Sequence, residues 1–134
     1  ALTALTAPYD DKVVYNFHCY EPLKFTHQGA YWTDIINPEK RLTFDESNIT
    51  PEFFEELFAP AIEKAKENNT LLYCGEYGVI DFVSPEDTVK WYKTINTIFE
   101  KYGISRCLWS YKEMDFGFSD SRLEKVRNEL LKFV

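Results

Sequence analysis

The chain has 134 residues, a formal net charge of −7 and a pI near 4.8, an acidic balance that argues against nucleic acid or anionic membrane surfaces as partners. At 45% hydrophobic it carries enough apolar side chain for one packed domain rather than a disordered tail. No apolar run reaches the ~18 residues of a membrane span.

Residues 1–12 read as an irregular lead-in closing on Pro8-Tyr9-Asp10-Asp11. The opening, Ala1 to Ala7, has neither the basic stretch nor the apolar core of a signal peptide and no initiator Met, which fits a processed chain or a piece of a longer one. Val13 to Tyr20 is rich in β-branched and aromatic residues and is stopped by Glu21-Pro22, so it predicts a strand. Residues 23–49 are aromatic and weakly periodic, and a loop that long in a compact domain usually serves function.

Thr50-Pro51-Glu52 predicts a helix start, with Thr as cap, Pro in the first turn and Glu on the positive end of the dipole. Phe53, Phe54, Leu57, Phe58, Ala61, Ile62 and Ala65 form its apolar stripe, Pro60 suggests a kink, and Asn68-Asn69 ends it. A second strand spans Thr70 to Val79. Ser84-Pro85-Glu86-Asp87 starts a second long helix, whose inner face is Val89, Tyr92, Ile95, Phe99 and Tyr102 and whose stop is Gly103. A third strand is predicted over Ser105 to Tyr111, and a last helix from about Ser119, with Leu123, Val126, Leu130 and Phe133 inward.

The order is strand then helix, three times, with units at 13–69, 70–103 and 104–134. That alternation implies an α/β fold with a parallel sheet. Three parallel strands alone leave two raw edges and an uncovered face, so the sheet calls for further strands or for self-association through its edges.

Active groups of parallel α/β folds gather at the C-terminal ends of the strands. Here those ends offer His18 and Tyr20, two apart and so on one face, then Glu76 between Gly75 and Gly78, then Trp109 and the Ser110-Tyr111-Lys112 tail. A Glu inside an apolar strand needs a reason, because its charge is costly to bury. Spacing alone leaves two open: a core hydrogen bond to a Tyr or His, or chemistry. Most of the chain's rings, 17% of its residues, are expected in the core, with a few as stacking platforms. His18 and His27 are not at metal-ligand spacing, and neither a metal nor any other cofactor is predicted. Cys19, Cys74 and Cys107 share no C-x-x-C spacing, and their odd number points to buried free thiols and leans towards a reducing compartment.

Four segments in order resemble glycoside hydrolase family 5, the cellulases. Val14 to Pro22 is similar to the family's sixth-strand segment. Phe25-Thr26-His27-Gln28-Gly29-Ala30 with Trp32 resembles the loop that follows. Tyr73 to Gly78 resembles the seventh-strand segment bearing the nucleophile, and Leu108 to Lys112 with Asp115-Phe116-Gly117 the end of the eighth. The resemblance implies strands six to eight of a partial TIM (β/α)8 barrel and the retaining hydrolysis of β-1,4-glucosidic bonds in β-glucans of the cellulose type. It implies Glu76 as nucleophile, Tyr20 holding it ionised, His18 beside the reacting sugar and Trp109 stacked under it, with His27, Trp32 and Lys112 as candidate substrate contacts. The family is often secreted.

One expected part is missing. A retaining glycosidase needs a second carboxyl group ~5 Å from the nucleophile, and the family's Asn-Glu pair does not occur upstream of residue 13. Glu21 should point away from the site, and Asp34, Glu113 and Asp115 lie on loops. The expectation is therefore a chain that carries the nucleophile, lacks the acid/base and is inactive without an N-terminal barrel half. A non-catalytic carbohydrate-binding or scaffold role is the alternative, and an unrelated flavodoxin-like domain a third reading, supported only by the alternation.

Overall fold

The structure, a computed structural model, describes residues 5–134; the first four residues of the lead-in lie outside the described part. Its frame is a three-stranded parallel sheet in the order β1 (Tyr15–Cys19), β2 (Leu72–Tyr77), β3 (Ser105–Arg106). Two long helices, α2 (Pro51–Glu67) and α3 (Pro85–Tyr102), follow the first two strands, and short helices α1 (Leu23–Thr26) and α4 (Arg127–Leu130) follow the first and third.

Both long helices start on the residues expected to cap them. Thr50 Oγ1 accepts from Phe53 N at 3.2 Å, and Ser84 Oγ from Asp87 N at 3.1 Å, each satisfying a free first-turn donor. α3 stops at Gly103, whose φ of 63° is left-handed. α2 continues through Pro60 to Glu67. Phe54, Phe58, Ala61, Ile62 and Ala65 of α2 and Val89, Trp91, Tyr92, Ile95, Ile98 and Phe99 of α3 are buried.

These faces meet one side of the sheet. Phe17 of β1 lies 5.0 Å from Phe58, Phe58 stacks on Phe99 at 5.8 Å, and Tyr77 of β2 stacks on Trp91 at 6.2 Å. Trp91 Nε1 also donates to Glu21 O over 3.1 Å, tying α3 to the exit of β1. The opposite side of β1 carries Asn16 and His18, both exposed. Strand alternation thus splits β1 into a core face (Tyr15, Phe17, Cys19) and an open face.

β2 carries a bulge. Phe17 pairs with Cys74, but the next residue, His18, pairs with Glu76, so Gly75 is the extra residue. The same insertion is felt on the other side, where Cys107 N reaches Cys74 O and Trp109 N reaches Tyr77 O, both at 2.9 Å: two steps on the third strand against three on β2. Regular pairing of β3 therefore ends at Arg106, short of the strand expected to run to Tyr111.

Two other expectations change. The helix expected from Ser119 is broken into a 3₁₀ turn (Ser121–Leu123) and the single turn α4. Arg127 Nη2 donates to Ser119 O at 3.1 Å and to Asp120 O at 2.8 Å, and Asp120 O also accepts from Leu123 N at 3.1 Å within the 3₁₀ turn. Leu123 and Leu130 are still buried, with Val126 and Phe133 packed beside them. Cys19 and Cys74 are buried, but Cys107 is exposed: Arg106 lies over the Phe99 ring of α3, so strand alternation turns Cys107 to the open face. The 23–49 stretch is mostly loop, with α1 and a 3₁₀ turn at Asp45–Ser47 inside it.

Candidate active site

The bulge decides where Glu76 points. Without the extra residue Glu76 would fall on the core face; with it, Glu76 stands opposite His18 on the open face. A side chain at position 75 would have to displace the Asn16 amide, since a Cβ there would lie 2.5 Å from Oδ1. That oxygen accepts the Gly75 N–H over 2.9 Å.

Tyr20 leaves the end of β1 on the same side and donates its hydroxyl to Glu76 Oε2 at 2.9 Å. His18 Nδ1 lies 3.5 Å from the same oxygen. Burial, reinforced by the bond to Glu76, pushes the Tyr20 phenol far above its ordinary value of 10.0, so it stays a donor at any working pH. Both contacts fall on Oε2.

These groups open on a cleft of about 570 Å³. Tyr20 and Glu76 line it, joined by His27, Tyr31 and Trp32 from the loop after β1 and by Trp109, Met114 and Asp115 from the segment after β3. The first loop is pinned from beneath. Thr26, fully buried, donates its hydroxyl to Tyr20 O, and Ile80 N donates to Thr26 O at 2.9 Å. Gln28, 1% exposed, satisfies both backbone groups of Leu42, giving Nε2–H to the carbonyl at 3.0 Å and taking the N–H at 2.8 Å. His27 then stands edge-on to Tyr20 at 5.1 Å, with Phe116 at 5.2 Å and Trp32 at 6.2 Å. Burial lowers its pKa from 6.5, against a weaker pull upward from Glu21.

Trp109 is set by backbone. A Cβ at Gly78 would lie 2.2 Å from the Trp109 carbonyl oxygen, so only glycine lets the two segments approach. Beyond the cis Trp109–Ser110 peptide, Glu113, Met114 and Asp115 are all left-handed, with φ of 65°, 57° and 60°. Non-glycine residues adopt that region at a cost. It is offset by Ser110 Oγ donating to Glu113 O at 2.8 Å and Asp81 N donating to Asp115 O at 2.7 Å. This turn carries Met114 and Asp115 into the cleft.

Of the residues singled out in the sequence, Glu76, Tyr20, His27, Trp32 and Trp109 meet in one cleft, with His18 beside Glu76. Lys112 stays outside it, exposed and 3.6 Å from Glu113 Oε1. Glu21 Oε2 accepts from Leu23 N at 3.1 Å, at the start of α1. Asp34 and Glu113 are exposed, and of the loop carboxylates considered as a second acid only Asp115 reaches the cleft. Sequence reasoning missed Tyr31, Met114 and the structural part played by Asn16 and Gln28. Tyr31 could have been suspected from its place beside Trp32; the others had no signal without the register.

Residues 1–115 match the family model described as Cellulase (glycosyl hydrolase family 5). The chain belongs to that family. It is 63% identical over 102 residues to Cellodextrinase A of Ruminococcus flavefaciens, a match covering 76% of this chain and 30% of that protein. It is 31% identical to Endoglucanase C of Acetivibrio thermocellus, over 93% of this chain and 43% of that one. Among solved structures it superimposes on a hyperthermophilic endo-β-1,4-glucanase in complex with substrate with a TM-score of 0.80 and 30% identity, covering 98% of this chain and 43% of the other. The chain thus spans less than half the length of the family members it matches. Its three βα units are a partial (β/α)8 barrel, and the open face of the sheet, with Asn16, His18 and Glu76, corresponds to the barrel interior.

Proposed function

We propose that this family 5 chain carries the nucleophile of a retaining β-1,4-glucanase and turns over substrate once a complete barrel surrounds it. The observation that supports this most is the carboxylate of Glu76 at the C-terminal end of β2, held at Oε2 by the Tyr20 hydroxyl over 2.9 Å and opening on a cleft lined by Trp109.

In the reaction, Glu76 attacks the anomeric carbon of the bound sugar, the bond to the leaving oxygen breaks, and a glycosyl ester forms on the carboxylate. A second carboxylic acid gives its proton to the leaving oxygen and then, as a base, draws a proton from the water that cleaves the ester. Tyr20 keeps Oε2 engaged and oriented, which leaves Oε1 for the attack. His18 stands at the reacting sugar, the exposed part of Trp109 offers a flat apolar face to it, and His27 and Trp32 line the path of the neighbouring sugar.

The acid/base is assigned to the strands that the family's longer members add. Loss of a general acid costs ~10²–10⁴-fold, so the isolated chain is expected to be inactive and to associate through the free edges of β1 and β3.

Hydrolysis of a soluble β-1,4-glucan tests this, with the chain alone, with an N-terminal half of a family enzyme added, and with Glu76→Gln. Activity only in the mixture, abolished in Glu76→Gln, is the expected result. Glu76-dependent activity of the chain alone would transfer the acid role to a carboxylate within it, with Asp115 first. Binding of the glucan with no turnover in any arm would favour a carbohydrate-binding role.

A further inference from the structure

We propose that Asn16 is a positioning residue for Glu76: one side-chain amide fixes both the bulge that aims the carboxylate and the tautomer of the neighbouring His18. This rests on the reading of Glu76 as nucleophile.

The first half follows from the ladder. The extra residue of a bulge has a backbone N–H without a regular partner. In β2 that residue is Gly75, and Asn16 Oδ1, reaching across from β1, accepts its N–H over 2.9 Å. The bond holds the bulge at the residue immediately before Glu76. A slip of one residue would turn Glu76 to the core face. The absence of a side chain at 75 is what admits the amide, since a Cβ there would sit 2.5 Å from Oδ1.

The second half follows from the same amide. With Oδ1 committed to an N–H donor, the orientation of the group is determined, and Nδ2 is the atom that faces His18 Nε2, 3.4 Å away. Nδ2 can only donate. In that pairing Nε2 is the acceptor, which puts the ring hydrogen on Nδ1. Nδ1 is the atom 3.5 Å from Glu76 Oε2. The order Gly75, Asn16, His18, Glu76 closes a loop around the bulge, and the carboxylate receives a second donor beside Tyr20.

Asn16→Asp separates the two tasks in a complete barrel containing this chain. The carboxylate retains an acceptor for Gly75 N–H, but it has no N–H to give and instead accepts one, so that Nε2 becomes protonated. Nitrogen-15 NMR of His18 reads the tautomer, and steady-state hydrolysis of a soluble β-1,4-glucan reads the consequence. The expected result is an unprotonated Nε2 in the parent and a protonated Nε2 in Asn16→Asp, with kcat reduced about 10- to 100-fold and KM changed by less than about threefold. Asn16→Ala, which loses both bonds, should lower kcat at least as far.

An Nε2–H tautomer in the parent overturns the proposal. So does an Nε2 that stays unprotonated in Asn16→Asp, or a protonated Nε2 with kcat intact. Full activity in Glu76→Gln, by contrast, would remove the nucleophile reading while the His18 spectra still reported on Asn16.

Discussion

The hydroxyl of Tyr20 and the Oε2 of Glu76 are 2.9 Å apart although 56 residues separate them in sequence. One comes from the exit of β1 and the other from the end of β2, and a single bulged ladder brings them together. A hydrogen bond to a charged group contributes about 1.5–3 kcal/mol. Tyr20→Phe should therefore reduce kcat of a complete barrel roughly 10- to 100-fold with the fold intact. Unchanged kcat in Tyr20→Phe, measured with native circular dichroism, would show that Glu76 is aimed by something else.

Gly75 and Gly78 should fail differently when changed to Ala. At 78 the new methyl meets the Trp109 carbonyl oxygen at 2.2 Å, and backbone cannot swing aside. Overpacking of this kind costs about 1–3 kcal/mol, so Gly78→Ala should lower the thermal midpoint and displace Trp109. At 75 the obstacle is the side-chain amide of Asn16, which can rotate away. Gly75→Ala should leave the midpoint closer to the parent while lowering kcat. Thermal denaturation and kinetics on the two variants separate these outcomes.

Gln28 acts as a splint in the substrate loop. Its amide pairs with both backbone groups of Leu42, and no aliphatic replacement can do so. Gln28→Leu leaves those groups unpartnered, at about 1–3 kcal/mol. The expected signs are a lower thermal midpoint and faster amide exchange through residues 26–42.

His27 makes stability fall on the acid side. Burial lowers its folded pKa below the ordinary 6.5, so the folded state binds the proton less readily than the unfolded one. Its contribution is present above about pH 6.5 and is lost as pH falls through the folded pKa. The difference in thermal midpoint between the parent and His27→Asn should be constant above neutrality and shrink on acidification. A difference that grows towards acid pH would contradict the lowered pKa of this half-buried ring.

Much of the frame was legible along the chain because it depends on local physics. Thr50-Pro51 and Ser84-Pro85 mark helix starts wherever the helix lies, Gly103 marks a stop, and the alternation of strands and helices implies a parallel sheet. His18 and Tyr20 were placed on one side by their spacing of two. The Gly75 bulge was not legible, because an insertion exists only relative to the strands it is paired with; it turns Glu76 to the open face and ends the regular pairing of β3 at Arg106. The contacts of Arg127 with Ser119 O and Asp120 O at the broken last helix, and the turning of Cys107 to the open face, likewise depend on tertiary packing. Local sequence determined which segments are helix or strand and which side chains could do chemistry. Tertiary structure decided which of them meet, since register and long-range hydrogen bonds are properties of pairs of segments.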